Sequence, residues 1–481
     1  MYRKAAPKQK TCFIPGSLSD YIPEDHLLRR VNAVLDLRWL EEEVRGLYTE
    51  ATGRPCIAPE RAVRLMLAGF FHGVVQDRKL MREAQVNIAY RWFAGYELDE
   101  ALPDHSSLTR IRQRWGEARF RRIFERSVTQ CAQAGLVGGE MLHVDASLIR
   151  ADVSWQSLVQ VHVDRVLQEN APDEEAESAP PPARKGKLKK LSLTDPDATL
   201  TTSCPQQRLE PSYKQHTAVD DKAGIIVDVR VTTGEVNEGK ELIGQLQRVA
   251  EAVYGGQLPQ AVTADRGYAS SANYAALEQL QIAAVIPPQP DKTPHRGMPL
   301  RRFAYDPQQE VVRCPAGKLL TRRSRRQQGW VYRARPAECQ ACALRPRCVS
   351  PSAHSRSVYL KDGYCALLRA RRCKEKGWPQ PMQEAYRRHR WKVEGIHGEA
   401  KSCHGLRRAA RRGLSNLRIQ AYLTAAVINL KRLAKLAPGP LKTYLLCIWQ
   451  HCFIPRATPA FRGRISRRSS KPCRCPLPSI G

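Results

Sequence analysis

The chain has 481 residues, room for two to four folding units with real cores. Its 78 Lys and Arg against 47 Asp and Glu give a formal charge of +31, which favours a polyanionic partner such as nucleic acid without separating DNA from RNA or an anionic membrane. No apolar run approaches the ~18 residues of a membrane span, the opening MYRKAAPKQK lacks the apolar stretch of a secretory signal, and 15 scattered cysteines argue against a disulfide scaffold, so a soluble cytoplasmic protein is expected.

Residues 1–136 read as an all-helical domain. Pro59 suits a first helical turn, and Val63, Met66, Leu67, Phe70, Phe71 and Val74 recur at helical spacing. A further helix opens at PDHSS, where Asp104 or Ser106 can cap it, and turns Leu108, Ile111, Trp115, Ile123 and Phe124 to a core while its other positions carry many arginines.

The pattern changes over 137–290. GEMLHVDAS reads as a short buried strand followed by a helical stretch, and a flexible excursion is expected over about 168–200, where a Pro-rich stretch splits into acidic and basic halves. YKQHTAVDD and GIIVDVRVTTG then suggest a hairpin, followed by a helix over about 238–253, the strand QAVTAD, a helix over about 270–281 and the strand IAAVIPP. Strands alternating with helices argue for an α/β sheet. Residues 291–380 form a basic, Pro-rich, cysteine-bearing insertion with short strands. Residues 381–437 return to helix, first over about 382–402 and then in NLRIQAYLTAAVINLKRLAKL, while the tail 438–481 holds no Asp or Glu and reads as disordered.

Two aspartates stand where chemistry is plausible. Asp145 in MLHVDAS and Asp265 in AVTADRGY each follow an apolar strand, and a carboxylate at the end of an interior strand needs solvent, a partner or a cation. A pair of Mg²⁺ ions about 3.5–4 Å apart would satisfy them and suit phosphodiester cleavage; alternatively each merely caps a turn. RWKVEGIHGEAKSCHG offers two glutamates. At ~100° per residue, Arg387, Arg390, His397 and Lys401 lie within ~60° of the stripe of Glu394, whereas Glu399 lies ~140° away. Glu394 is therefore the residue available to a metal beside phosphate-binding cations, unless the helix is only a solvated amphipathic face, and Glu399 is expected in a salt bridge or in solvent.

These residues resemble the DDE transposases of bacterial insertion sequences, in the branch related to the insertion-sequence-four and insertion-sequence-five groups. The likeness rests on HVDAS, TADRGY and a helix bearing Tyr386, Arg390, Glu394 and Lys401, with GRPCIAPERAVRLMLAGFFHG as the matching N-terminal stretch. In the family signature two, three and six residues separate Tyr, Arg, Glu and Lys; here three separate Tyr386 from Arg390. The resemblance implies a ribonuclease H-like catalytic domain preceded by the helical, DNA-binding domain, with Asp145, Asp265 and Glu394 binding Mg²⁺ or Mn²⁺. It also implies cutting of double-stranded DNA at terminal inverted repeats and joining of the freed 3′ ends to target DNA, by a homodimer on DNA at the bacterial nucleoid. The alternative is a non-catalytic DNA-binding relic or regulator derived from such an enzyme.

Other features carry open readings. Cys314, Cys339, Cys342 and Cys348 could close a structural Zn²⁺ site or stay unliganded, their second half being C-x₅-C. Lys214 and His216 could contact phosphate or be half-exposed strand residues, and His143, on the same side of its strand as Asp145, could tune the site or fill a core position. GEVNEGKE matches G-x₄-G-K, but Glu241 stands where a nucleotide hydrolase needs Ser or Thr, so the stretch reads as a turn.

Overall fold

The computed structural model describes residues 16–49, 56–162, 188–202, 208–290 and 298–436; the tail 438–481 and residues 168–187 of the expected excursion lie outside the described residues. The chain begins with helices α1 (Leu27–Asn32), α2 (Leu40–Arg45), α3 (Pro59–Phe71), α4 (Asp77–Val86), α5 (Ile88–Ala94) and α6 (His105–Gln133). Pro59 does occupy the first turn of α3, and Val63, Met66, Leu67, Phe70 and Phe71 are all buried. The Asp104 carboxylate caps α6 by accepting the Ser106 N–H at 2.8 Å. Gly116, with φ of 66°, breaks α6 in a conformation that side chains with a Cβ resist.

The strands follow: β1 (Met141–Arg150), β2 (Leu158–His162), β3 (Leu188–Ser192), β4 (Thr199–Thr201), β5 (Glu210–Asp220) and β6 (Ile226–Thr233). Helix α7 (Leu242–Ala252), β7 (Ala261–Ala264), α8 (Ser271–Gln279) and β8 (Ala283–Val285) complete this part. The central sheet runs β6-β5-β1-β7-β8, with β4 beside the start of β5. β5 is antiparallel to both β1 and β6, whereas β7 is parallel to β1 and β8 to β7. Residues 188–192 and 199–201 of the expected excursion are thus strands, one paired with β2 and the other with β5.

A second sheet contains β9 (Ala304–Asp306), β10 (Val311–Arg313), β11 (Leu319–Arg326), β12 (Gly329–Ala334) and β13 (Ser357–Lys361), each antiparallel to the next. Between β12 and β13 lie the short helices α9 (Pro336–Gln340) and α10 (Arg345–Cys348). Phe303, Val312, Leu320, Tyr332 and Leu360 form its own small core. The chain then continues through α11 (Tyr364–Glu375), α12 (Gln380–His389), a π-helical turn at Arg390–Glu394, α13 (Gly395–Cys403) and α14 (Leu414–Leu436).

Helix α14 is buried along most of its length and joins the N-terminal helices to the central sheet in one core. Tyr422 stacks on Phe124 of α6 at 6.2 Å. Asn429 accepts the Ile226 N–H at 2.9 Å and donates to its carbonyl at 2.8 Å, satisfying the edge of β6. A further tie is ionic: Asp77 of α4 takes the buried Arg112 of α6 and, at 2.8 Å, Arg411 from the loop before α14. Among the described residues no helix is long and apolar enough to cross a membrane.

Candidate active site

Register places the two aspartates together: Asp265 stands just past the end of β7, whereas Asp145 lies midway along β1, which continues to Arg150 instead of ending at the aspartate as expected. Val144 of β1 lies opposite Ala264 of β7, and the next residue of each parallel strand is Asp145 or Asp265. Asp265 turns one oxygen back to accept the Gly267 N–H at 2.8 Å. Burial lifts the Asp145 carboxyl to about 7; the Ala146 N–H opposes the rise, and the negative charges of Asp265, Glu238 and Glu394 add to it. Neither aspartate forms an ion pair among the described residues.

The helix carrying Glu394 is held against these strands by a buried polar chain. The His143 ring accepts at Nδ1 from the Thr263 hydroxyl at 2.6 Å, and that hydroxyl accepts from His389 Nδ1 at 2.8 Å. This assignment leaves His143 Nε2 to donate to Asp221 at 3.0 Å, where Arg388 also donates at 3.1 Å. Burial keeps both rings neutral, lowering His143 and bringing His389 down to about 4. His143 precedes Asp145 by two residues and Thr263 precedes Asp265 by two, so each shares a strand face with its aspartate.

The π-helical turn changes the phase of this helix. A turn closed over five residues takes in one more than an α-turn, so Tyr386 and Glu394 are separated in angle as if by seven residues, about 20° apart. Tyr386 accordingly faces the acidic cluster: burial raises its hydroxyl, and Asp265, Glu394 and Asp145 add to the rise while Arg266 opposes it. The extra residue between Tyr386 and Arg390 is absorbed. By the same count Arg387, expected on the stripe of Glu394, is displaced by about 120° and is exposed elsewhere. Arg390 pairs with Glu394 at 3.3 Å, both side chains largely in solvent.

Asp145 and Asp265 open into a cleft of about 790 Å³ that also receives Arg150, Lys214, Glu238, Lys401 and Arg407. The Arg407 carbonyl accepts the Arg150 N–H at 3.3 Å, which lays the loop after α13 along the end of β1. Burial and Arg407 lower Lys401, against the pull of Asp145. Lys214 pairs with Glu238 at 3.2 Å. Glu238, taken in the sequence only as part of a turn, is thus a fourth carboxylate of the site. Its Oε2 would lie 2.6 Å from a Cβ at position 267, so a larger residue in place of Gly267 would have to push this carboxylate aside. Asn273 clamps the two turns together, donating to the Gly239 and Tyr268 carbonyls at 2.9 Å each.

Two expected positions differ, those of His216 and His397, while Glu399 stands in the salt bridges expected of it. His216 is wholly buried, bonded to Thr232 at 3.0 Å and pushed by burial to about 3, so it does not reach a phosphate. β5 opens to the cleft at its start, through Glu210, Ser212 and Lys214, and is buried from Gln215 onward, so neither the phosphate contact nor the half-exposed position open to His216 is realised. His397 is likewise buried rather than on an open stripe, and is lowered to about 3 by burial. Glu399 turns away from the cleft: against the upward push of burial, hydrogen bonds from His404 and Lys431 and the charge of Arg432 hold its carboxyl near 2.

All four cysteines of the second sheet border one cavity of about 20 Å³. Burial raises the Cys348 thiol, Arg356 opposes this, and Cys339, Cys314 and Cys342 add to it. Among the described residues no group of three or more His, Cys, Asp or Glu side chains is already gathered tightly enough to hold a metal ion.

Adjacent carboxylates on neighbouring parallel strands beside a cationic cleft are the layout of a metal-dependent phosphoryl-transfer enzyme acting on nucleic acid. Comparison with family models makes this specific: residues 16–114 match "Transposase domain (DUF772)" and residues 189–430 match "Transposase DDE domain". The second match covers half of the chain, and the chain belongs to the DDE transposase family, whose members cut DNA and transfer strands with divalent metal ions. That membership implies a ribonuclease H-like fold. Asp265 and Glu394 fall within the match, and Asp145 lies between the two matched segments. Among solved structures, the piggyBac transposase synaptic complex with hairpin DNA is similar at 12% identity and a TM-score of 0.31, over 90% of this chain and 86% of that one. The Mos1 transposase paired-end complex with left transposon end is similar at 12% identity and a TM-score of 0.16, over 51% of this chain and 65% of that one. No residue role follows from likenesses so distant. A comparison with curated protein sequences gives no match.

Proposed function

We propose that Asp145, Asp265 and Glu394 are the metal-binding triad of this transposase, and that its substrates are the terminal inverted repeats of an insertion sequence and a target duplex. The observation that carries this is the adjacency of Asp145, within β1, and Asp265, just past β7, on neighbouring parallel strands, with the Asp145 carboxyl raised and in no ion pair among the described residues. Such a pair fits hard divalent ions, Mg²⁺ or Mn²⁺, which accept carboxylate and phosphate oxygens. When bound, the ions would activate water or a 3′-hydroxyl and stabilise the leaving oxygen.

The chain's own groups do the rest. Glu394 leaves Arg390 to complete the carboxylate set, and Arg390 becomes free to hold phosphate. Lys401, Arg150 and Arg407 neutralise backbone charge in the cleft, and Glu238 keeps Lys214 aimed along its floor. The helices of 1–136 bind the element ends, and the cysteine-bearing sheet within 291–380 is an insertion in the catalytic domain. Two copies meet on DNA, at the nucleoid in the cytoplasm. Zinc has no part in this chemistry, since four thiolates would leave no open coordination position.

The test is cleavage of linear DNA carrying the element's own ends, with Mg²⁺ or Mn²⁺, by wild type, Asp265→Ala and Glu394→Gln. Cuts at the repeat ends that vanish in both variants are expected. Salt-sensitive binding, falling with a slope of ~0.9 per phosphate neutralised, but without cuts under either metal would instead identify a DNA-binding relic.

A further inference from the structure

We propose that Cys314, Cys339, Cys342 and Cys348 form a structural zinc site that staples the β10–β11 turn to the connection between β12 and β13. The inference stands apart from the assignment of the catalytic triad and survives its failure.

The backbone already presents the thiols from tight turns. Cys314 donates its N–H to the Lys318 carbonyl at 2.8 Å and accepts the Gly317 N–H at 2.9 Å, while Cys342 donates to the Cys339 carbonyl at 3.4 Å. The shared cavity of about 20 Å³ suits one small ion, being little larger than the ~10–15 Å³ that a water needs. In the metal-free chain the thiols are not yet gathered around a common point, so the site closes only when the ion binds.

The connection also has little buried apolar surface to hold it. Helices α9 and α10 have 5 and 4 residues, too short to be stable alone, and between Pro336 and Arg356 only Cys348 and Val349 are buried. A tetrahedral metal supplies the missing folding energy in segments of this kind.

Charge agrees with this. Zinc on four thiolates carries a net charge of −2, the four thiol protons passing to solvent, and three cations, Lys318, Arg345 and Arg356, border the cavity against one acid, Glu338. Arg356 is fixed by donating to the Cys348 carbonyl at 3.1 Å and the Met298 carbonyl at 2.7 Å, and Arg345 by donating to the Ala353 and His354 carbonyls at 3.2 Å each. These cations would balance the thiolates without ligating the metal.

The experiment is zinc analysis of the purified full-length protein after dialysis against metal-free buffer, followed by mercurial titration with a zinc-sensitive dye. About one zinc per chain is expected in wild type, in Cys365→Ser and in Asp265→Ala, with release on mercurial addition and loss in the Cys339→Ser, Cys342→Ser double variant. Wild type with native circular dichroism but less than about a fifth of an equivalent of zinc would overturn the proposal. So would alkylation of these four thiols as fast as the exposed Cys403 in zinc-containing buffer. The wild-type stoichiometry decides even if the double variant fails to fold.

Discussion

Replacing Thr263 with Val tests whether the buried His143–Thr263–His389 chain sets the catalytic geometry. Valine keeps the shape of threonine and removes two hydrogen bonds, of 2.6 and 2.8 Å, from a site where Thr263 and His143 are both fully buried. Each bond contributes about 0.5–1.5 kcal/mol net, and leaving a ring N–H of His389 unpaired costs about 1–3 kcal/mol more. The expected loss is about 2–4 kcal/mol in urea unfolding, once the overlap between these terms is allowed for. Because the hydroxyl ties β1, β7 and α12 together two residues from each aspartate, cleavage should fall at least tenfold under conditions where the variant remains folded. Thr263→Ser, which keeps the hydroxyl, should recover most of both. A loss below about 0.5 kcal/mol, or a Ser variant no better than Val, would refute the argument.

Two further outcomes follow from the titrating groups. Asp145 is held near 7, so at pH 8 its ionised form burdens the metal-free protein, and Asp145→Asn should raise the melting temperature there. Added Mn²⁺ should stabilise wild type but not this variant, and equal shifts in both would exclude Asp145 as a ligand. His216, His389 and His397 lie at about 3, 4 and 3 in the folded chain against 6.5 when unfolded, so the unfolded state binds more protons between these values. Stability is therefore full above about pH 6.5 and falls on acidification, by up to about 2 kcal/mol per ring at pH 5, with protonation of Asp145 offsetting roughly one of the three. Urea midpoints that stay level or rise from pH 7 to 5 would contradict this.

The helical periods around Val63–Phe71 and Leu108–Phe124 were legible because those helices bury one face and wet the other. The adjacency of Asp145 and Asp265 could be suspected from two apolar runs ending in Asp, but the pairing of their strands is a long-range fact that no local pattern carries. Glu399 could be separated from Glu394 by angle alone, since no irregularity lies between them. His216 was misplaced because the face of β5 that opens to the cleft at Glu210, Ser212 and Lys214 is already covered two residues further on. Glu238 was hidden because its partners, Lys214 and the Asp265 turn, come from distant strands. The clamping role of Asn273 was equally out of reach.

The π-helical turn before Glu394 bears on how motifs are compared between chains. An inserted residue in a strand would reverse every side chain beyond it, whereas here a helix takes one in and Tyr386 still meets the acids. The residue expelled from that face is Arg387, so the insertion exchanges a charge at the rim for the same aromatic neighbour. Distance along such a helix is better counted in degrees than in residues. A spacing one residue too long can therefore mark a changed rim around an intact centre, rather than a lost member of the motif.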